Sequence, residues 1–230
     1  MKSEALDKAF EALKTYNWGA ERKLVDPIND AVVSSYGNAD ARAALESRLA
    51  AVLKTDISRD AKDVVCRHLR TIGTAKCVPT LASLLGDKDL SHMARYALER
   101  IQDDAAGTAL REALGKVSGA LKAGVAGSLG ARADQQSASA LAGLLEDKDA
   151  SIVAAAATAL GNIAAPHTAG PLAMAAKKAP TAAKRAVIDG ALRAAEALSA
   201  AGKATEANVI NKALSGDDMP KHVRQAATRA

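Results

Sequence analysis

Apolar residues recur along the chain in two alternating series, each with the local spacing of an amphipathic helix. Both series advance by about 31 residues at a time. This period is that of a helical hairpin, and it predicts a repeat architecture because a single hairpin cannot bury its own apolar face. The first-helix series is Leu49, Leu81, Leu110, Leu141 and Leu172, and the second-helix series is Leu69, Leu98, Leu129, Leu160 and Leu192.

Two segments of the chain are near copies of one another. The sequence LASLLGDKD at residues 81–89 recurs 60 residues later as LAGLLEDKD at residues 141–149. This offset is too long for one helical hairpin and matches two. The duplication therefore favours an all-α fold, a right-handed α-α superhelix or solenoid of about six helical hairpins.

The second helices show a repeated apolar face. Positions four before and three after the second-helix leucine lie on one side of a helix, and they are apolar in every repeat except at Arg132. A long side chain near a helix end can lay its aliphatic stem on the core while its charge reaches water. The pairs are Val65 with Ile72, Ala94 with Ile101, Val125 with Arg132, Ala156 with Ile163, and Ile188 with Ala195.

The N-terminal region differs from the repeats in composition. Four of the five aromatic residues lie in its first 36 positions. Because a terminal repeat has one face without a neighbour, we interpret residues 1–39 as capping helices, with an aromatic ligand pocket as the alternative. The aromatic residues are Phe10, Tyr16, Trp18 and Tyr36.

The repeats resemble a known family of helical-repeat proteins. A leucine-rich first helix, an Asp-bearing turn and a second helix ending as Ala159-Leu160-Gly161-Asn162-Ile163 are similar to HEAT repeats. The short variety first noticed in phycobilisome lyase subunits is the nearest in pattern. The resemblance implies HEAT-like repeats of about 31 residues over residues 40–230, in one continuous domain, and it is informative about fold rather than function.

Composition favours helices and leaves the cellular compartment open. Aromatic residues are only 2% of the chain, while Ala and Leu, which favour helix over strand, are abundant. Residues 1–4 lead directly into an amphipathic run without the apolar stretch of a signal peptide. We expect a cytoplasmic protein if the chain is complete, and a secreted or periplasmic one if a leader has been removed.

The longest uncharged stretch, residues 150–176, is long enough to cross a bilayer. Most of it is Ala, and Asn162, Pro166 and Gly170 interrupt it where a spanning helix would be continuous. We therefore predict no membrane span and assign this stretch to the repeats.

The two cysteines offer two interpretations. Cys66 lies in a second helix and Cys77 opens the next first helix, so stacking would bring them near one another. Buried free thiols are the simpler interpretation because free Cys behaves as a small hydrophobic residue. A redox pair is the alternative.

Acidic residues recur at the turns before second helices. We interpret them as helix N-caps, since the further ligands and the glycine of an EF-hand loop are absent. Nearer the N-terminus, Asp26 is expected as an N-cap with Pro27 at the first helical position. The turn residues are Asp56, Asp87, Asp89, Asp147, Asp149, Asp217 and Asp218.

Three glycines, Gly124, Gly127 and Gly130, are spaced by three residues in one second helix. No strand precedes them and the spacing does not fit nucleotide-binding loops. We predict that they permit close approach of a packed neighbouring helix.

Histidine spacing gives no metal motif. None of the four His residues has a His or Cys partner three or four positions away, so no metal site and no cofactor are predicted. An enzyme of the lyase or glycosylase kind would need a carboxylate or His beside an aromatic group, for which Tyr96 near His92 and Glu99 is the candidate. A non-enzymatic role is favoured, and the enzyme question stays open.

The net charge of +5 comes from a local excess of basic residues. Residues 177–203 contain six Lys or Arg and two Asp or Glu. Lys184 and Arg185 lie near the start of a second helix, where the helix dipole disfavours cations, so helix stability does not explain them. A solvated basic face and an anionic partner contact are both open.

These patterns favour a scaffold that binds another protein along a concave surface of second helices. Nucleic acid is disfavoured because basic residues do not recur at equivalent positions in successive second helices, as a phosphate track requires. A HEAT-like DNA-repair protein and a lyase or chaperone-type subunit resembling phycobilisome lyases are alternatives, and the oligomeric state is left open. The candidate contacts are Arg67, Arg70, Arg95, Tyr96, Lys184, Arg185 and Arg193.

Overall fold

The protein is built from α-helices joined by short turns. The computed structural model describes residues 2–228, and no β-strand occurs within that range. The predicted all-α fold is confirmed. The helices are α1 Lys2–Leu13, α2 Asp26–Ser34, α3 Ala39–Leu53, α4 Arg59–Ile72, α5 Val78–Ala82, α6 Ser91–Leu98, α7 Asp104–Lys116, α8 Gly119–Ala131, α9 Ala138–Gly143, α10 Ala150–Ile163, α11 Ala169–Lys178, α12 Thr181–Ala200, α13 Ala204–Leu214 and α14 Lys221–Ala227.

The chain forms two compact units, Met1–Ala113 and Leu114–Ala230. The boundary between them lies inside α7. The division expected from the sequence, capping helices at residues 1–39 and one continuous repeat domain at residues 40–230, stays a prediction.

The first unit consists of helical hairpins. Helix α1 packs on α2, α3 on α4 and α5 on α6, while α4 also contacts α2 and α6. The landmark side chains of both helical series are buried, as their spacing predicts. Polar side chains set the helix starts: Asn38 and Ser58 accept hydrogen bonds from the N–H groups of Ala41 and Ala61, each at 3.0 Å.

The second unit stacks three long helices in chain order. Helix α10 packs between α8 and α12, and α11 packs on α12 and α13. The predicted second-helix face is buried here except at Arg132 and at its last landmark, because Leu192 is half-buried while Ala191 is fully buried. The position equivalent to Leu160 is therefore Ala191, 31 residues on, and the expectation for Leu192 was off by one residue.

Close helix packing depends on glycine, and Gly130 takes part as predicted while Gly127 does not. A Cβ on Gly130 would lie 2.5 Å from the Cα of Ala159 in the neighbouring helix. Gly127 is exposed with open space around its Cα, so the prediction was wrong for this residue. Gly161 and Gly190 make the corresponding close approach between α10 and α12.

The aromatic residues of the N-terminal region do not form one packed cluster. Phe10 is buried and its ring contacts Arg48, whose guanidinium carbon lies 3.9 Å from the ring centroid. Tyr16 is half-buried. Trp18 is 92% exposed and Tyr36 is 89% exposed, so neither ring is packed in the N-terminal region.

Some of the acidic turn residues act as predicted. Asp149 caps α10 by accepting a hydrogen bond from the N–H of Ser151 at 2.8 Å. The hydroxyl of Ser151 also donates to Asp149 Oδ1 at 2.7 Å, and this bond together with that from the N–H lowers the pKa of Asp149. Asp87 and Asp147 hold their turns by accepting backbone N–H bonds, from Asp89 at 2.8 Å and from Asp149 at 2.9 Å.

Other acidic residues do not cap helices. Ser58 rather than Asp56 caps α4. Asp26 is the first residue of α2, with Val25 at the N-cap and no side-chain cap, so the expectation for Asp26 was wrong by one position. Its carboxylate still lies in the first turn, where the helix dipole favours negative charge. Helix α14 follows Pro220 without a side-chain cap, unlike the arrangement predicted for Asp217 and Asp218.

The uncharged stretch at residues 150–176 folds as α10 and most of α11, separated by a 3-10 turn at Pro166–Thr168. Across residues 2–228, every helix is too short or too polar to cross a membrane.

Candidate functional site

Two arginines of α4 and a tyrosine of α6 come together on adjacent second helices. The guanidinium carbon of Arg70 lies 4.3 Å from the centroid of the Tyr96 ring, and that of Arg67 lies 6.0 Å from it. Both distances are in the range of cation–π attraction. The structure thus brings together three of the four contacts predicted in the first unit, and we call them the Arg–Tyr cluster.

Helical spacing explains this cluster. Arg67 and Arg70 are three residues apart and therefore lie on one face of α4. Arg67 donates from Nε to Asp63 Oδ2 at 2.7 Å, one turn earlier, and this bond raises the pKa of Arg67. Its side chain remains 62% exposed. The cluster therefore presents the exposed guanidinium of Arg67 to solvent beside a half-buried aromatic ring.

Arg95 is the fourth contact predicted in the first unit, and it directly precedes Tyr96 in α6. It is half-buried, and burial lowers the pKa of its guanidinium while the charge of Glu99 opposes that effect. Adjacent helical residues do not face one another, which separates the direction of Arg95 from that of Tyr96.

A cavity of about 830 Å³ opens at the carboxyl ends of α4 and α6. Three guanidinium groups line it, from Arg42, Arg70 and Arg100, and we call it the arginine pocket. Sequence reasoning identified Arg70 alone. The other lining residues are Thr71, Gly73, Thr74, Ile101, Gln102 and Asp103.

Arg42 is held in the arginine pocket by backbone carbonyls. It donates from Nη2 to the carbonyl of Thr71 at 2.8 Å and from Nε to that of Ile72 at 3.3 Å. These carbonyls belong to the last turn of α4, whose partial negative charge favours a cation. The position of Arg42 in α3 gave no sequence signal of this role.

A buried carboxylate organises the neighbouring turn. Glu46 is 1% exposed and accepts hydrogen bonds from the backbone N–H groups of Thr74 at 2.7 Å and Cys77 at 3.2 Å. The hydroxyl of Thr74 also donates to Glu46 Oε1 at 2.9 Å. Sequence reasoning missed this residue, which fastens α3 to the turn before α5.

The predicted contacts of the second unit have different local roles. Lys184 donates to the carbonyl of Lys177 at 3.0 Å and so caps the end of α11. Arg193 donates to Asn162 Oδ1 at 2.7 Å and joins α12 to α10. The side chain of Arg185 is 96% exposed, 3.7 Å from Asp189. Hydrogen bonds to neighbouring helices therefore give Lys184 and Arg193 a role in the fold, whereas the exposed Arg185 lies near a residue of its own helix.

Both cysteines are buried free thiols, as the simpler interpretation predicts. Burial is the main reason why the pKa of each is raised to about 12, and the nearby carboxylates of Asp63 at Cys66 and of Glu46 at Cys77 add to the rise. Such thiols are poor nucleophiles at neutral pH. No group of three or more His, Cys, Asp or Glu side chains suited to a metal ion occurs within residues 2–228.

No protein-family model matches the chain, and no curated protein sequence matches it. Solved structures do. An engineered protein is 18% identical over 100% of this chain and 73% of its own, with a TM-score of 0.44. The complex of CpcE and CpcF of phycocyanin lyase from Nostoc sp. PCC7120 is 18% identical over 99% of this chain and 92% of its own, with a TM-score of 0.46.

A designed armadillo repeat protein in complex with a (KR)4 peptide is 17% identical over 97% of this chain and 96% of its own, with a TM-score of 0.39. These similarities concern fold. Hairpins stacked through their second helices give the chain a helical-repeat fold, as its resemblance to short HEAT-like repeats implied.

Proposed function

We propose that the protein is a non-enzymatic helical-repeat scaffold that binds another protein through its second helices. The observation that supports this most strongly is the Arg–Tyr cluster on α4 and α6. Arg and Tyr are enriched among the few interface residues that dominate protein–protein affinity. Stacking on Tyr96 already restricts the guanidinium of Arg70, which lowers the conformational entropy lost when a partner binds.

The proposed contacts in the first unit are Arg67, Arg70, Arg95 and Tyr96. Of these, Arg67 is the most accessible charge and Tyr96 the largest apolar surface, so both are suited to direct contact. Arg95 is half-buried and therefore offers less of its charge to a partner than Arg67 does.

The proposed contacts in the second unit are Lys184, Arg185 and Arg193. Arg185 is the accessible charge of the three. Because Lys184 and Arg193 bond to neighbouring helices, replacing either one would also remove a contact of the folded chain. Arg185 is therefore the residue whose replacement tests binding cleanly in this unit.

Nucleic acid is the main competing partner class. A protein that binds a DNA duplex would place Lys or Arg side chains at regular intervals along the phosphate backbone. Its affinity for the duplex would fall steeply with added salt. The Arg–Tyr cluster is instead a compact group on two adjacent helices, which suits a single anchoring contact with a protein segment.

Selection from a displayed library of random peptides tests this function. We expect selected peptides to bind the wild-type protein and to lose about tenfold or more in affinity with Tyr96→Ala or Arg67→Ala. Arg22→Ala, which removes an exposed charge far along the chain from the cluster, is the matched control and should bind normally. Circular dichroism verifies that each variant is folded.

The proposal fails if no peptide is selected, or if selected peptides bind the Tyr96→Ala and Arg67→Ala variants as tightly as the wild type. A short DNA duplex that binds with strong salt dependence and competes with the peptides would favour the nucleic-acid alternative instead.

A further inference from the structure

The arginine pocket has the charge of an anion site. The residues that line it near the carboxyl ends of α4 and α6 include three arginines, Arg42, Arg70 and Arg100, and one acidic residue, Asp103. Each helix end adds roughly half a negative charge. The balance leaves roughly one positive charge in a cavity whose volume falls within the usual range for ligand sites, about 300–1,000 Å³.

Two of the three guanidinium groups are held in place before any ligand arrives. Arg42 is fixed by its bonds to the carbonyls of Thr71 and Ile72, and Arg70 by its contact with the Tyr96 ring. Pre-positioned donors bind with a smaller loss of side-chain entropy than mobile ones. Arg100 is exposed and supplies an adaptable third fork.

Arg70 also carries an unsatisfied donor. Its Nε is buried and has no hydrogen-bond partner within residues 2–228. A buried N–H without an acceptor costs free energy, so this part of Arg70 is not satisfied by the fold alone. The planar guanidinium fork matches the two oxygens of a carboxylate, and such charge-assisted pairs are among the strongest hydrogen bonds in proteins.

We propose that the arginine pocket binds carboxylate side chains from an acidic segment of a partner protein. This inference rests on the proposed protein-binding function and gives it a chemical class of partner. Arg70 belongs both to the pocket and to the Arg–Tyr cluster, so a segment anchored in the pocket continues directly onto Tyr96. A single local pocket suits a few acidic side chains better than the evenly spaced phosphates of a nucleic acid.

A short fluorescent oligoglutamate peptide is the probe, with oligoglutamine of equal length as the neutral control. Anisotropy at low salt measures affinity for the wild-type protein and for three variants: Arg100→Gln, Arg70→Gln and the control Arg22→Gln. Arg100 is exposed, so its replacement leaves the core intact. We expect oligoglutamate alone to bind, with about a tenfold loss of affinity for Arg100→Gln and Arg70→Gln and no loss for Arg22→Gln.

The inference is overturned if oligoglutamate does not bind, or if all three variants bind it equally. It is also overturned if a DNA duplex binds more tightly than oligoglutamate with the same dependence on Arg100. Suppose that the affinity of library-selected peptides falls with Arg67→Ala and Tyr96→Ala, but that these peptides lack acidic residues and bind the Arg100→Gln variant normally. That result would contradict this inference and leave the proposed function standing. Selected peptides that bind the Tyr96→Ala variant as tightly as the wild type would instead contradict the proposed function itself.

Discussion

Gly161 of α10 and Gly190 of α12 meet where there is no room for a side chain. A Cβ on Gly161 would lie 2.7 Å from the carbonyl oxygen of Gly190 and 2.9 Å from its Cα. The obstacle on each side is backbone, which cannot turn aside as a flexible side chain does. The spacing of these two helices is therefore fixed by glycine rather than by interlocking large residues.

Gly161→Ala is expected to destabilise the protein by about 1–3 kcal/mol, because the added methyl group forces α10 and α12 apart. The free energy of unfolding, from chemical denaturation, measures this. Gly127→Ala is the matched control in helix α8, where the Cα faces open space. That change should stabilise the protein by about 0.5–1 kcal/mol through helix propensity. Equal effects of the two changes would contradict the packing argument.

Glu46→Ala is expected to cost about 2–3 kcal/mol, because it leaves the N–H groups of Thr74 and Cys77 without their charged acceptor. Urea unfolding gives the difference. Glu11→Ala removes an exposed carboxylate that pairs only with Lys14 and should change stability by less than about 0.5 kcal/mol. A loss no greater than that of the control would show that Glu46 does not organise the turn.

Acid should weaken the fold through His68. Burial lowers the pKa of this imidazole below its ordinary value of 6.5, so the folded state favours the neutral ring. Its contribution is complete above pH 6.5 and is lost as pH falls from there towards the lower folded pKa, since the unfolded chain binds the proton more readily.

His68→Gln should therefore lose less stability than the wild type between neutral pH and about pH 5.5. Unfolding free energies at the two pH values provide the comparison. His222→Gln, at an exposed position, should keep the wild-type pH response. An unchanged response in the His68 variant would contradict the assignment.

Cys66 and Cys77 should resist thiol reagents in the folded protein. The pKa of each is about 12, so almost no thiolate is present at neutral pH, and both sulfurs are buried. Mass spectrometry after brief alkylation should show labelling only in denaturant. Ala131→Cys adds an exposed thiol as the reference for fast labelling. Rapid native labelling, or a disulfide formed without denaturant, would favour the redox-pair alternative.

The repeat period was readable from the sequence because large apolar residues mark most buried positions. The predicted position was wrong by one residue in α12, where the sequence suggested Leu192 as the buried residue and the structure buries Ala191 instead. The sequence predicted that glycines of α8 permit close approach of a neighbouring helix, but it did not identify which glycine makes the contact. Whether Gly127 or Gly130 approaches a neighbour depends on the rotation of α8 about its axis. The sequence does not indicate this rotation, because small residues occur on all sides of the helix.

The site was partly predictable. Sequence analysis named Arg67, Arg70 and Tyr96 as candidate contacts on second helices, and the structure brings these three together. The arginine pocket was missed because its three guanidinium groups come from different elements at different repeat positions. Arg70 lies one residue after the landmark Leu69, Arg100 lies two residues after the landmark Leu98, and Arg42 reaches the same place from α3. Comparing basic residues at helix ends, with a one-residue tolerance, would have found two of the three.

The exposure of Trp18 has a practical consequence. It is the chain's single tryptophan, and its ring already lies almost wholly in water, although its backbone N–H is tied to Asp60 Oδ2 at 3.0 Å. Intrinsic emission should therefore change little when the protein unfolds. A shift of that emission to shorter wavelength would instead report that a bound molecule shields the Trp18 indole from water. Trp18 can therefore serve as an intrinsic fluorescence probe for binding near the N-terminal end of the chain.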